Sequence, residues 1–125
     1  MNGDALLFFD GKPEELALYE ALEARIFSEI EDVRLKVSKS QISFYNRHLF
    51  ACVSFLRAKR KAELSAHYIV LTLGLDRPLD TPRAAVVTEP YPNRWTHHFV
   101  LSRKEEIDDE LMDWVKQAAA FAAIK

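Results

Sequence analysis

The strongest constraint on the fold is a change of period near residue 33. Val33, Leu35 and Val37 alternate with Arg34, Lys36 and Ser38, and Ile42 and Phe44 alternate with Gln41, Ser43 and Tyr45. A period of two belongs to a strand with one wet face. Asn46-Arg47-His48 reads as the turn into a third strand, Leu49 to Arg57, and His67 to Leu73 reads as a fourth. In these two strands both alternate sets are largely apolar, which places them mid-sheet with something covering each face. The polar stretch Ala58 to Glu63 reads as the hairpin connection between them.

On either side the period lengthens. Pro13 suits a first helical position, and Glu14 and Glu15 suit the positive end of a helix dipole. Leu16, Tyr19, Leu22, Ile26 and Ile30 then recur at steps of three and four, predicting a helix over Pro13–Ile30 whose acidic residues form a solvated face. Asp76 to Pro92 holds four of the five prolines and reads as loop, with a short helical turn around Arg83–Val87. Arg94 to Leu101 reads as a fifth strand. Ser102-Arg103-Lys104-Glu105 has capping-box spacing. Behind it Ile107, Leu111, Trp114, Ala118 and Phe121 predict a last helix over Lys104–Ala123. The expected fold is one α+β domain over residues 1–125: a five-strand, mainly antiparallel sheet with the N-terminal and C-terminal helices packed on one face.

Several patterns, in order along nearly the whole chain, resemble the domain-of-unknown-function family DUF5655. They are Gly11-Lys12-Pro13, Lys39-Ser40-Gln41-Ile42, Phe50-Ala51-Cys52-Val53, Asp80-Thr81-Pro82-Arg83, Arg94-Trp95-Thr96-His97-His98, and Ile107-Asp108-Asp109-Glu110-Leu111 leading to Trp114. The resemblance implies a compact α+β domain without an established reaction. Members of that family stand alone or follow other domains, nuclease-like ones among them, and carry the label of transport protein. Where the family tends to have an alanine-tyrosine pair, this chain has Ala118-Ala119-Ala120-Phe121, so a role for that tyrosine hydroxyl does not carry over.

Charge and composition exclude several classes. With 17 basic and 19 acidic residues the net charge is −2, unlike a DNA packager whose whole surface is basic. No run approaches the roughly 20 apolar residues of a membrane span. Leu6-Leu7-Phe8-Phe9 lacks the preceding basic residue of a secretory signal, so a reducing cytoplasm is the expected compartment. The lone Cys52 cannot form an internal disulfide and reads as a small core residue. With one cysteine and no HxxxH or CxxC spacing, no metal site and no cofactor are expected. No GxGxxG, Walker, GxSxG or HExxH pattern is present.

The residues left to carry chemistry are few. On a strand His97 and His98 point to opposite faces and cannot share a metal. His97 goes with Trp95, Phe99 and Leu101 toward the helices, as a core histidine. His98 goes with Arg94, Thr96 and Val100 toward the other face, where Tyr45 and Tyr68 also belong. Lys39, Tyr45, Arg94, Thr96 and His98 are the candidate binding residues. The leading reading is a non-catalytic binding or interaction module. An alternative is a small enzyme using His98 or His97 as acid/base, with Tyr45 and Arg94 around an anionic substrate. A third is nucleic-acid binding: Arg34 to Lys61 holds eight basic residues, no acid, and interleaved aromatics. The same charges also serve solubility. The apolar character of both sets in the third and fourth strands adds a homodimer to the expected partners. Glu105 to Glu110 reads as helix-start electrostatics.

Overall fold

A computed structural model describes residues 3–59 and 64–125. In chain order the elements are α1 (Gly3–Phe8), α2 (Pro13–Glu29), β1 (Arg34–Val37), β2 (Ile42–Tyr45), β3 (Leu49–Ser54), β4 (Ile69–Leu75), β5 (Val86–Tyr91), β6 (Arg94–Leu101), a 3-10 turn (Lys104–Glu106) and α3 (Asp109–Ile124). The strands form one antiparallel sheet in the order β1-β2-β3-β4-β6-β5. The α+β class and the antiparallel sheet follow the sequence pattern, and the doubly apolar β3 and β4 are indeed central.

The sheet has six strands, not five. Val86–Tyr91, expected as loop with a helical turn, is the edge strand β5 and pairs with β6 from Val86↔His98 to Tyr91↔Arg94. Between Thr88 and Tyr91 the register slips, so Glu89 and Pro90 form a bulge. Pro90 has no N–H to offer a ladder, and an edge bulge is where a strand tolerates that. Pro92-Asn93 closes the hairpin, with Asn93 at φ 60 in the left-handed region that asparagine accepts. The other unforeseen element is α1. Gly11, at φ 72, ends this segment while Lys12 donates its amide to the Phe9 carbonyl.

Side chains alternate across the sheet. Ile42, Phe44, Ala51, Val53, Ile69, Leu71, Leu73, Leu75, Phe99 and Leu101 form the inner face and are buried. Against them α2 buries Leu18, Tyr19, Leu22 and Ile26, and α3 buries Leu111, Met112, Val115, Ala118, Ala119 and Ala122. Compared with the expected stripes, Leu18 replaces Leu16, and Trp114 and Phe121 are half-buried at the margin. Glu15, expected on the solvated face of α2, is 5% exposed.

The last helix begins at Asp109, not at Lys104 as expected, behind the 3-10 turn, and its cap is not Ser102. Glu106, not Glu105, accepts the Ser102 and Arg103 amides, and Asp108 then caps α3 by accepting the Leu111 amide at 2.9 Å. Two arginines tie the acidic run down. Arg25 donates to Glu29, Asp109 and the Ile107 carbonyl, and Arg83 to Asp108, Glu110 and the Glu106 carbonyl. Among the described residues no helix is long and apolar enough to cross a membrane.

Candidate functional site

The outer face of the sheet, opposite α2 and α3, carries a row set by register: Lys36, Ser43, Cys52, Thr72, His98 and Val86, one from each strand. The Thr72 hydroxyl lies 2.8 Å from His98 Nδ1. Burial pushes the Cys52 thiol up, with a smaller opposing effect from the Thr72 hydroxyl, so the sulfur stays protonated and unreactive. Burial also holds His98 below the ordinary histidine range; it titrates less freely than an exposed ring on a wet face would.

His97 is on the other side and 0% exposed. Its Nε2 accepts the Leu79 amide at 3.0 Å, which makes it the neutral Nδ1–H tautomer. The ring stacks on Phe99, which stacks on Trp114. Burial lowers its pKa against a partial offset from the Leu73 and Trp95 carbonyls. This is the core histidine that strand alternation requires, and it also pins the 76–85 loop.

Two clefts adjoin the sheet and share Cys52 and Thr72; the second lies along the outer face, and the first runs round the end of the sheet to α3. The first, of about 610 Å³, is lined from the outer face by Gly74 and Thr96. Its walls are Trp95, the Pro90-Tyr91-Pro92 tip of the β5–β6 hairpin, and Phe121 from the end of α3. The second, of about 690 Å³, lies between Phe8, Lys12, Lys39, Phe55 and His98. The expected binding set is therefore divided: Arg94 and Thr96 line the first cleft, Lys39 and His98 the second, and Tyr45 neither. His97, His98, Tyr45 and Arg94 do not converge on one point.

Electrostatics distinguish the first cleft. The Arg94 guanidinium sits 4.9 Å from the centre of the Phe121 ring and Lys125 Nζ sits 5.4 Å from the same ring. Neither forms an ion pair among the described residues. Burial, and then the Arg94 charge, hold the Lys125 pKa down. Two cations thus share one aromatic ring in the last turn of α3, with no acidic side chain paired to either among the described residues. Sequence reasoning missed Phe121, in the last helix, Lys125, just past its end, and Gly74. A glycine inside the apolar strand Leu73-Gly74-Leu75 was the available signal, since strand interiors accept glycine where something must approach the backbone.

The basic segment is also divided. Arg34, whose guanidinium donates to the Asn46 carbonyl, and Arg47 lie at the β2–β3 turn end of the sheet. Lys39, Arg57 and Lys59 lie at the opposite end, and Arg60 and Lys61 fall outside the described residues.

Fold and clefts together define an α+β domain with helices on one side of an antiparallel sheet, one cleft on the other side and one at the end of the sheet. The chain belongs to the family described as Domain of unknown function (DUF5655), whose model matches residues 7–122. No curated protein and no solved structure matches it. The motifs that carry the family resemblance meet in space: Arg83 reaches Asp108 and Glu110 and lies over Trp114, 5.6 Å from the ring centre. That part of the pattern is architecture.

Proposed function

We propose that the domain is a non-catalytic binding module, and that the first cleft seats a small ligand with an apolar body and one anionic end. The observation that carries this reading is that Arg94 and Lys125, without an ion-pair partner among the described residues, both line an aromatic-walled cleft of about 610 Å³. That volume lies in the usual range for small-molecule sites, which are mostly apolar with a few placed polar groups. An arriving carboxylate relieves the repulsion between the two cations and gains charge-assisted hydrogen bonds. Thr72 and Thr96 supply hydroxyls along the lining, and Trp95 in the wall reports binding.

The test is tryptophan fluorescence titrated with decanoate and with decanol. Decanoate should bind, decanol more weakly, and Arg94→Gln should weaken decanoate by about tenfold. A Cβ at Gly74 meets no atom within 4 Å, so Gly74→Val leaves the fold intact while filling the cleft, and binding should be lost. Equal affinity for acid and alcohol, or unchanged binding by Gly74→Val, rejects this seat.

A second reading, a histidine acid/base enzyme acting on an anion, has one observation behind it. In the other cleft His98 faces the Thr72 hydroxyl, with Lys12 and Lys39 nearby as anion partners. His98→Ala would abolish such an activity and leave decanoate binding unchanged.

A further inference from the structure

The start of α2 and the residues before β4 meet in a way that neither cleft uses. Glu14 and Glu15 occupy the first helical turn, and His67 arrives from 52 residues further along the chain. His67 Nδ1 lies 3.3 Å from Glu15 Oε2 and 3.8 Å from Glu14 Oε2. One ligand atom from each of the three residues falls within 4.8 Å of the others.

A helix N-terminus accounts for carboxylates in its first turn, but not for what Glu15 does. Glu15 is 5% exposed, and its second oxygen, Oε1, is buried without a hydrogen-bond partner. Buried polar atoms are almost always satisfied, and an orphan on a carboxylate carries a large desolvation penalty. Among the described residues no lysine or arginine forms an ion pair with it. A cation seated beside Glu15 Oε2, Glu14 Oε2 and His67 Nδ1 would supply positive charge to this carboxylate, whose Oε2 faces His67 and whose Oε1 has no hydrogen-bond partner.

We propose that Glu14, Glu15 and His67 form a binding site for a divalent transition-metal ion of the zinc type. Zinc bonds to imidazole nitrogen and carboxylate oxygen at about 2.0–2.2 Å, which puts tetrahedral ligand atoms roughly 3.4 Å apart. The 3.3 and 3.8 Å separations bracket that edge. One nitrogen and two oxygens suit zinc or manganese better than calcium, which gathers six to eight oxygens. The His67 and Glu14 side chains are 52% and 58% exposed, so an ion enters from solvent and keeps water in its fourth position. Two carboxylates and a neutral imidazole balance a 2+ charge, and the ion staples the strand entry to the helix start. The spacing rules of zinc motifs do not see this site because its ligands are distant in sequence.

The experiment is calorimetric titration of ZnCl2 into chelator-treated protein, with thermal melts in zinc and in EDTA. The expected result is one ion per chain, a higher melting temperature in zinc, and affinity weakened about tenfold or more by His67→Ala. Glu14→Ala should weaken it as well. His48→Ala, whose ring is held by the Ala122 carbonyl elsewhere, should bind as the parent does. A cooperative melt in EDTA checks that the His67→Ala and Glu14→Ala variants are folded. Absence of stoichiometric binding, or affinity unaltered by His67→Ala, overturns the proposal. So does a melting temperature that tracks the protonation of His67 and ignores zinc.

Discussion

Within β6, adjacent histidines lead different lives because alternate residues face different solvents. His97 accepts a loop amide in the dry interior; His98 meets a threonine hydroxyl under partial cover. Removing His97 leaves the Leu79 amide unpaired and opens a cavity beside Phe99. His97→Ala should destabilise the fold by about 1–3 kcal/mol in urea unfolding, and His98→Ala by under about 1 kcal/mol. The pH dependence has a definite sign. Both rings are held below the ordinary value of 6.5, so in the unfolded chain they bind protons that the native state refuses. Their contribution is complete above about pH 7 and is lost as pH falls through 6.5 toward the lower native values. The urea midpoint should drop between pH 7.5 and 5.5, and His97→Ala should flatten that drop. A His97 ring that titrates at 6.5 by NMR would refute the assignment. Period-two alternation made this distinction readable from the sequence, because it needs only local geometry.

Elements show where such reading stops. The four strands from β1 to β4 and the long helices announce themselves by period. β5 does not, since Pro90 and Pro92 are loop signals everywhere except on a bulged edge. Nor does sequence spacing reveal that the 76–85 loop is fastened to α3. Arg83 makes that attachment, through Asp108 at 2.9 Å, Glu110 at 2.9 Å, the Glu106 carbonyl at 2.8 Å and the face of Trp114. The guanidinium is 27% exposed and its acidic partners are about half-exposed, so solvent screens part of this network. Arg83→Ala should cost about 1–2 kcal/mol and shift Trp114 fluorescence, while Arg83→Lys keeps the charge but loses the fork and the stacking. A melting temperature unchanged in Arg83→Ala would show the loop held by His97 alone. The candidate cleft was half legible for the same reason: Arg94 and Thr96 follow from alternation, whereas Phe121 and Lys125 arrive through helix packing.

For the whole molecule, helices on one side leave the other face to function, yet the chain already covers part of it. Val70 is 0% exposed although it belongs to the outer face, and the Tyr68 hydroxyl contacts the Phe55 carbonyl. The apolar centre that suggested a homodimer through this face is thus partly occupied. What remains open to another copy are the two margins of the sheet. They are unequal: β1 is a four-residue strand carrying Arg34 and Lys36, and β5 is bent by its bulge and interrupted by Pro90.

That inequality sets the kind of aggregate the domain can make. A filament grown by strand addition needs an accepting margin on both sides of every subunit, because each newcomer must itself become a template. Here one side is a chain terminator. Two β1 strands that paired about a two-fold axis would close the assembly. Sedimentation should therefore find only small finite species at high concentration. Pro90→Val, which restores an amide to the β5 margin, should yield growing oligomers; if the parent chain polymerises equally well, the terminator lies elsewhere.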